Sequence, residues 1–309
     1  MKKHVVRSVS GAALAAVLML GSGAAQGGSC SDVEIGGKCF HFTSITLPGF
    51  QGELVGVNKK GDIVGSNSPV NTFIHPTEGF EIHSDGTVAV IQDPLAPNFT
   101  ELTNINDKGE MAGWIYDGNF IHGFTRSAAG DFTAYDLFTP TVRNTGTQVR
   151  AFNNFGDLGG RTIGMLPSDV AFLKVGNNVS TFTYLGSQTF VSAINNHGDA
   201  AGFALVGGLS RGYVRAADGT MTAIDFPGAK STGVLAINDH GDVAGDWTDF
   251  SNVIHGFVYL PSTQQYYSFD FPTAGVTETF ATVITNQGEI YGNYVANLTP
   301  EGFLLTSKH

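Results

Sequence analysis

The chain has 309 residues with a formal charge of -11, 41 glycines, 11% aromatic and only 14% charged residues. An acidic surface excludes nucleic acid and anionic membrane as partners, since both need a basic stripe. Abundant glycine and aromatics with little charge point to an all-β chain with many tight turns.

The chain opens with a basic segment, MKKHVVR, then an apolar run, SGAALAAVLML, then small residues, GSGAAQ. This is a secretory signal, too short for a membrane span, with cleavage expected after Ala25 and a secreted or periplasmic mature protein. Losing Lys2, Lys3 and Arg7 takes the charge from -11 to -14. A lipoprotein reading centred on Cys30 is weakened by Gly27, which stands where a branched apolar residue should precede the cysteine. Residues 26–41 form an N-terminal segment in which Cys30 and Cys39, the two cysteines of the chain, are expected to form a disulfide, as suits an exported protein. No later stretch approaches 18 consecutive apolar residues, so no membrane span is expected.

Residues 42–309 are built from a repeat. VNKKGDIVG, INDKGEMAG, FNNFGDLGG, INNHGDAAG, INDHGDVAG and ITNQGEIYG begin at residues 57, 105, 152, 194, 237 and 284. Their first glycines, Gly61, Gly109, Gly156, Gly198, Gly241 and Gly288, are spaced by 48, 47, 42, 43 and 47 residues. A Gly/Ala–aromatic pair recurs in phase (EGFEI, HGFTR, VAFLK, RGYVR, HGFVY, EGFLL), as does an aromatic run ending in a Pro or Gly turn. Each unit therefore holds four short strands, A to D, and the period is that of a propeller blade. The chain starts on a D strand, FTSITLPG (42–49), and stops after a C strand, EGFLLTSKH. The expected fold is a six-bladed β-propeller of four-stranded blades, its ring closed by the N-terminal strand completing the last blade.

The Ile-Asn-x-x-Gly-Asp-x-x-Gly element followed by His-Gly-Phe resembles the extracellular HAF-repeat family of bacterial proteins across about residues 42–309. Strict His-Gly-Phe stands at 122–124 and 255–257 only. The resemblance implies secretion and a propeller-like repeat, and implies no particular substrate.

The Asn-x-x-Gly-Asp cluster looks like a metal or acid/base site, but it recurs in all units, with Thr285 for Asn in the last and Glu for Asp in two. An Asx turn with a positive-φ glycine explains it, with His197 and His240 in its variable, solvent-facing middle. A calcium reading fails on spacing, because alternate oxygen ligands are missing. Attention therefore moves to the opposite face, which carries the B–C and D–A loops. Two B–C loops stand out: GWIYDGNFIHGF, with Trp114, Tyr116, Asp117 and His122, and GDWTDFSNVIHGF, with Trp247, Asp249 and His255.

Asp117, His122, Asp249 and His255 are the candidate proton-transfer residues. Trp114, Tyr116, Trp247, Tyr294 and Arg211 are the candidate ligand contacts, since aromatic faces beside acids and imidazoles suit sugars. The competing reading is that the histidines open strand C and bond neighbouring backbone. Nucleophile motifs are missing. The first functional reading is a monomeric secreted propeller that binds an extracellular carbohydrate or protein ligand. The alternative is a hydrolase or lyase acting on an extracellular polysaccharide, ester or lactone. No cofactor motif is evident; calcium held by Asp and Asn belongs to the enzyme reading.

Overall fold

The computed structural model describes residues 30, 32–46, 52–67, 77–164 and 169–307. The expected signal peptide lies outside them, as does the end of the FTSITLPG stretch. Among the described residues there are 25 strands and no helix.

An N-terminal hairpin, β1 (Val33–Ile35) and β2 (Lys38–Ile45), carries the Cys30–Cys39 disulfide. Six antiparallel groups then follow the six sequence copies. The first is β3 (Gly52–Val57), β4 (Ile63–Asn67), β5 (Glu78–Ile82) and β6 (Val88–Ile91). The second is β7 (Thr100–Ile105), β8 (Met111–Tyr116), β9 (Ile121–Arg126) and β10 (Phe132–Tyr135). The third is β11 (Gly146–Phe152), β12 (Leu158–Ile163), β13 (Ala171–Val175) and β14 (Asn178–Phe182). The fourth is β15 (Gln188–Ile194), β16 (Ala200–Val206), β17 (Leu209–Arg215) and β18 (Met221–Ala223). The fifth is β19 (Ser231–Ile237), β20 (Val243–Thr248), β21 (Ile254–Leu260) and β22 (Gln265–Phe269). The last is β23 (Val276–Ile284), β24 (Ile290–Ala296) and β25 (Thr299–Ser307), and β2 pairs antiparallel with β25 from Phe40↔Ser307 to Ile45↔Gly302. The N-terminal strand thus lies beside the last one.

The register explains why the two sequence motifs travel together. The last glycine of each turn motif faces the aromatic of the Gly–aromatic pair: Gly65↔Phe80, Gly113↔Phe124, Gly160↔Phe172, Gly202↔Tyr213, Gly245↔Phe257 and Gly292↔Phe303. All six aromatics are at most 1% exposed. A Cβ on Gly113 would stand 2.0 Å from the Glu101 carbonyl oxygen and 2.8 Å from the Phe124 ring. Glycine makes the pocket and the neighbouring strand's ring fills it. Each innermost strand also carries a bulge at one shared register, for example between Leu54 and Gly56 and between Val149 and Ala151. Such bulges sharpen local twist, and the sequence pattern hid them.

The Asn-x-x-Gly-Asp turns do two jobs. In the first five turns the Asn side chain bonds local backbone, as in Asn195, whose Oδ1 accepts the N–H groups of His197 and Asp199 at 3.0 and 2.9 Å. Gly198 there has φ +86°, and His197 and His240 are exposed. Between turns the same side chain reaches on: Asn106 Nδ2 donates to the Asn153 carbonyl, Asn153 to Asn195, Asn195 to Asn238 and Asn238 to Thr285. A second belt runs beside it. The backbone N–H of Lys59 donates to Asp107, Asp107 to Asn154, Asn154 to Asn196, Asn196 to Asp239 and Asp239 to Asn286. Turn residues from all six groups line one depression of about 620 Å³.

The last group meets the first with contacts used elsewhere between consecutive groups. Ser66 Oγ bonds both the N–H and the C=O of Leu102, and Asn293, at the same register, does so with Leu54 at 2.8 and 2.9 Å. Thr103 donates to the Val149 carbonyl, and Thr282 likewise donates to that of Leu54.

Candidate functional site

At the strand ends remote from those turns, a cleft of about 1140 Å³ opens where the second group meets the third. The D–A segment Leu95–Phe99 forms one wall and the end of β8, with Trp114, Tyr116 and Asp117, forms another. Asn144, Gln148, Arg161 and Ile163 of the next group complete it. The loops are laced together, which holds the walls in place. Tyr116 donates its hydroxyl to the Asn144 side chain at 2.8 Å, Arg143 donates to the Gly118 carbonyl, and the Asn144 N–H donates to the Asn119 carbonyl.

The aromatics are graded in exposure. Phe99 packs on Trp114 with centroids 5.0 Å apart and meets Tyr116 edge-on at 6.2 Å. Trp114 is only 4% exposed, and its buried indole lies close enough to Glu101 to pull that carboxyl down. Glu101 stands directly opposite Trp114 across the strand pair and is the acceptor group nearest that indole in charge terms.

Behind the cleft sits a charged cluster. Burial raises the carboxyl of Glu101 against the pull of Arg150, whose guanidinium is 4.0 Å away. Burial, with the like charge of Arg150, lowers Arg161 to about 10. Arg161 Nε donates to Gln148 Oε1 at 2.7 Å, and its guanidinium lies 4.4 Å from the centre of the Phe190 ring. Burial and the Glu278 carboxylate raise Asp246 to about 7. Perturbed charges beside a cleft fit a functional site. Glu53, Glu101 and Gln148 share one register with Phe190, Gly233 and Phe280. The signal that could have found them is this variability amid constant neighbours.

The two candidate histidines do not share a site: each is held in its own group by two carboxylates. His122 Nδ1 is 2.9 Å from Asp136 and its Nε2 is 3.5 Å from Asp117. His255 Nδ1 is 2.8 Å from Asp270 and its Nε2 is 3.8 Å from Asp249. Burial raises Asp117 less than the N–H groups of Phe120 and Asn119 lower it, so its carboxyl stays below the ordinary range. The Val253 N–H is the main cause lowering Asp249. Of the four proton-transfer candidates, Asp117 alone lines the cleft.

Nor do the candidate contact residues converge. Trp247 is sandwiched between Phe226 and His255, each centroid 4.4 Å away. Tyr294 is 4% exposed, stacks on Phe271 at 3.8 Å and donates to Glu301. Arg211 reaches the Lys230 carbonyl. Of the candidate ligand contacts, Trp114 and Tyr116 are in the cleft. Asp136 and Asp270 each follow the last residue of strand D in the two His-Gly-Phe units, a shared signal visible in the sequence.

No protein-family model matches the sequence, and no curated protein matches it. Among solved structures, the chain is similar to a streptogramin B lyase (12% identity, TM-score 0.53, covering 87% of this chain and 98% of that one). It is also similar to a candidate TolB from Agrobacterium tumefaciens (8%, 0.56, 73% and 81%). A candidate gluconolactonase matches at 13% identity and TM-score 0.54, over 90% of this chain and 94% of that one. These likenesses are of fold, and the fold they share with this all-β chain is the β-propeller.

Proposed function

We propose that the six groups are the blades of a closed propeller, and that the protein is a secreted binding protein that holds a carbohydrate in the cleft between the second and third blades. Closure is supported by β2 on β25 and by the Asn293–Leu54 contacts that repeat Ser66–Leu102. The disulfide suits an oxidising compartment outside the cytosol.

The observation that carries the binding reading is the aromatic wall that Phe99, Trp114 and Tyr116 set along the cleft. Sugars offer apolar ring faces to aromatics and hydroxyl groups to polar side chains. Asp117, Asn144, Gln148 and Arg161 supply the polar directions. A glycan array followed by calorimetry tests it. A hit is expected to weaken about tenfold in Tyr116→Ala, which removes a partly exposed ring of that wall. A folded protein that binds no glycan at millimolar concentration overturns it.

A second reading is a hydrolase or lyase. It is favoured by Asp117, which faces both the cleft and His122, itself braced by Asp136. That chain could move a proton to or from a bound substrate. Under this reading His122→Ala abolishes turnover while leaving ligand affinity within threefold; the binding reading expects no turnover to lose.

A further inference from the structure

The six blades act as internal controls for one another, and the first departs from the rest on the face opposite the cleft. Asp62 follows the turn glycine, where every blade carries Asp or Glu. It accepts the Asn58 amide at 3.0 Å and the Ser84 N–H at 3.1 Å. The same pattern, without further ligands, occurs at Asp157 and Asp199, which accept the Gly176 and Ala217 N–H groups.

The first blade alone adds two groups beside this acid. Glu81 stands opposite Val64 in β5, and the equivalent positions hold Thr125, Leu173, Val214, Val258 and Leu304. A carboxylate thus replaces a position that four of five sister blades keep apolar. Glu81 is 9% exposed, and among the described residues its carboxylate accepts no hydrogen bond; its one close partner is His83 Nδ1 at 3.5 Å. Burying an ionised carboxylate without hydrogen bonds is expensive, so a cationic partner is called for. Arg126 and Lys60 act on it only through space.

We propose that Asp62, Glu81 and His83 form a mononuclear zinc-type divalent-cation site. One ligand atom from each lies within 4.8 Å of the other two. His83 Nδ1 is 3.5 Å from Glu81 Oε1 and 3.8 Å from Asp62 Oδ1. Bonds of about 2.0–2.2 Å in tetrahedral geometry place ligand atoms about 3.4 Å apart, so small movements complete the set. Two carboxylates offset the cation's charge, and the half-exposed His83 leaves an approach from solvent. The imidazole nitrogen and the three-ligand count select a first-row ion such as zinc over calcium, which takes six to eight oxygens. The Ser84 and Asn58 bonds hold the Asp62 carboxylate in orientation, as outer partners do in metal sites. Bound there, the ion would clamp the A–B turn of the first blade to the hairpin turn beginning at His83, whose N–H bonds the Thr87 carbonyl.

The test uses the full mature chain stripped with EDTA and titrated with Zn²⁺, Ca²⁺ and Mn²⁺ by calorimetry, with Co²⁺ absorption reporting a low-coordinate N/O site. One equivalent of Zn²⁺ is expected to bind and to raise Tm by several degrees. Glu81→Val and His83→Ser install residues found at those positions in sister blades, so each folds in EDTA and weakens Zn²⁺ binding at least tenfold. If the stripped wild type binds no Zn²⁺, if both folded variants keep its affinity, or if Ca²⁺ outcompetes Zn²⁺, the proposal is overturned. Glycan binding at the cleft reads out separately, so its failure and this one are distinguishable.

Discussion

The imidazole of His255 stacks on the indole of Trp247, with centroids 4.4 Å apart and planes 24° apart. The other indole face lies against Phe226 at 5°, and its N–H donates to Ser268. Trp247 is therefore a packing keystone for the fifth group of strands. Trp247→Ala is expected to cost about 2–3 kcal/mol in urea unfolding. His255→Ala should cost less than half of that, because its partner Asp270 is half exposed and solvent screens the pair. Equal costs for the two variants would refute this division.

The turn asparagines make a graded prediction possible. Asn195 satisfies two local N–H groups and donates to Asp199 and to the next blade's Asn238 carbonyl. Asn195→Ala leaves these groups unpaired and should cost about 3 kcal/mol by chemical denaturation. Thr285 occupies the same position in the last blade, where its hydroxyl accepts the Glu289 N–H. Asn195→Thr should therefore recover part of the loss. If alanine is tolerated within 0.5 kcal/mol, the inter-blade latch carries no weight.

These examples show what the sequence discloses. The repeat phase gave the strand order and the pairing of the chain ends, because period-2 patterning and turn glycines are local signals. The turn motif read as structural, but its reach into the next blade did not, since a 47-residue hydrogen bond such as Asn238 to Thr285 leaves no local trace. His122 and His255 were visible as chemistry. That each is held in its own blade between two aspartates depends on strands B, C and D closing together, and so appears only in the fold. Glu101 and Arg161 were passed over because a charged residue in an alternating strand reads as solvent-facing. Arg161 instead lines the cleft, and Glu101 stands opposite Trp114 of its wall.

The N-terminal staple can be tested by redox chemistry. Cys30 and Cys39 are nine residues apart, and closing so short a loop stabilises by about 3 kcal/mol at most. Cys39→Ser should lower Tm, and dithiothreitol should lower the wild type to the same value while leaving the variant unchanged. Because β2 also pairs with β25, the variant should show faster hydrogen exchange at Leu305 than at Val234 in the distant β19. Uniform exchange across the blades would mean that the N-terminal strand does not brace the last one.

Asp246 gives a pH signature. Its carboxyl stands opposite Gly233, where a Cβ would come within 2.8 Å of Oδ1, and burial with the Glu278 charge raises it to about 7. A carboxyl raised on folding binds its proton more tightly in the folded state, so stability falls as pH rises. The penalty is absent below the unfolded value near 3.8, grows between there and 7, and is complete above. Carried through from 3.8 to about 7, it amounts to at most about 4 kcal/mol. Asp246→Asn removes the charge while keeping the shape. The variant should match the wild type at pH 4 and exceed its stability by 2–4 kcal/mol at pH 8, measured by urea unfolding across that range. Parallel pH profiles for the two proteins would show that this carboxyl ionises freely.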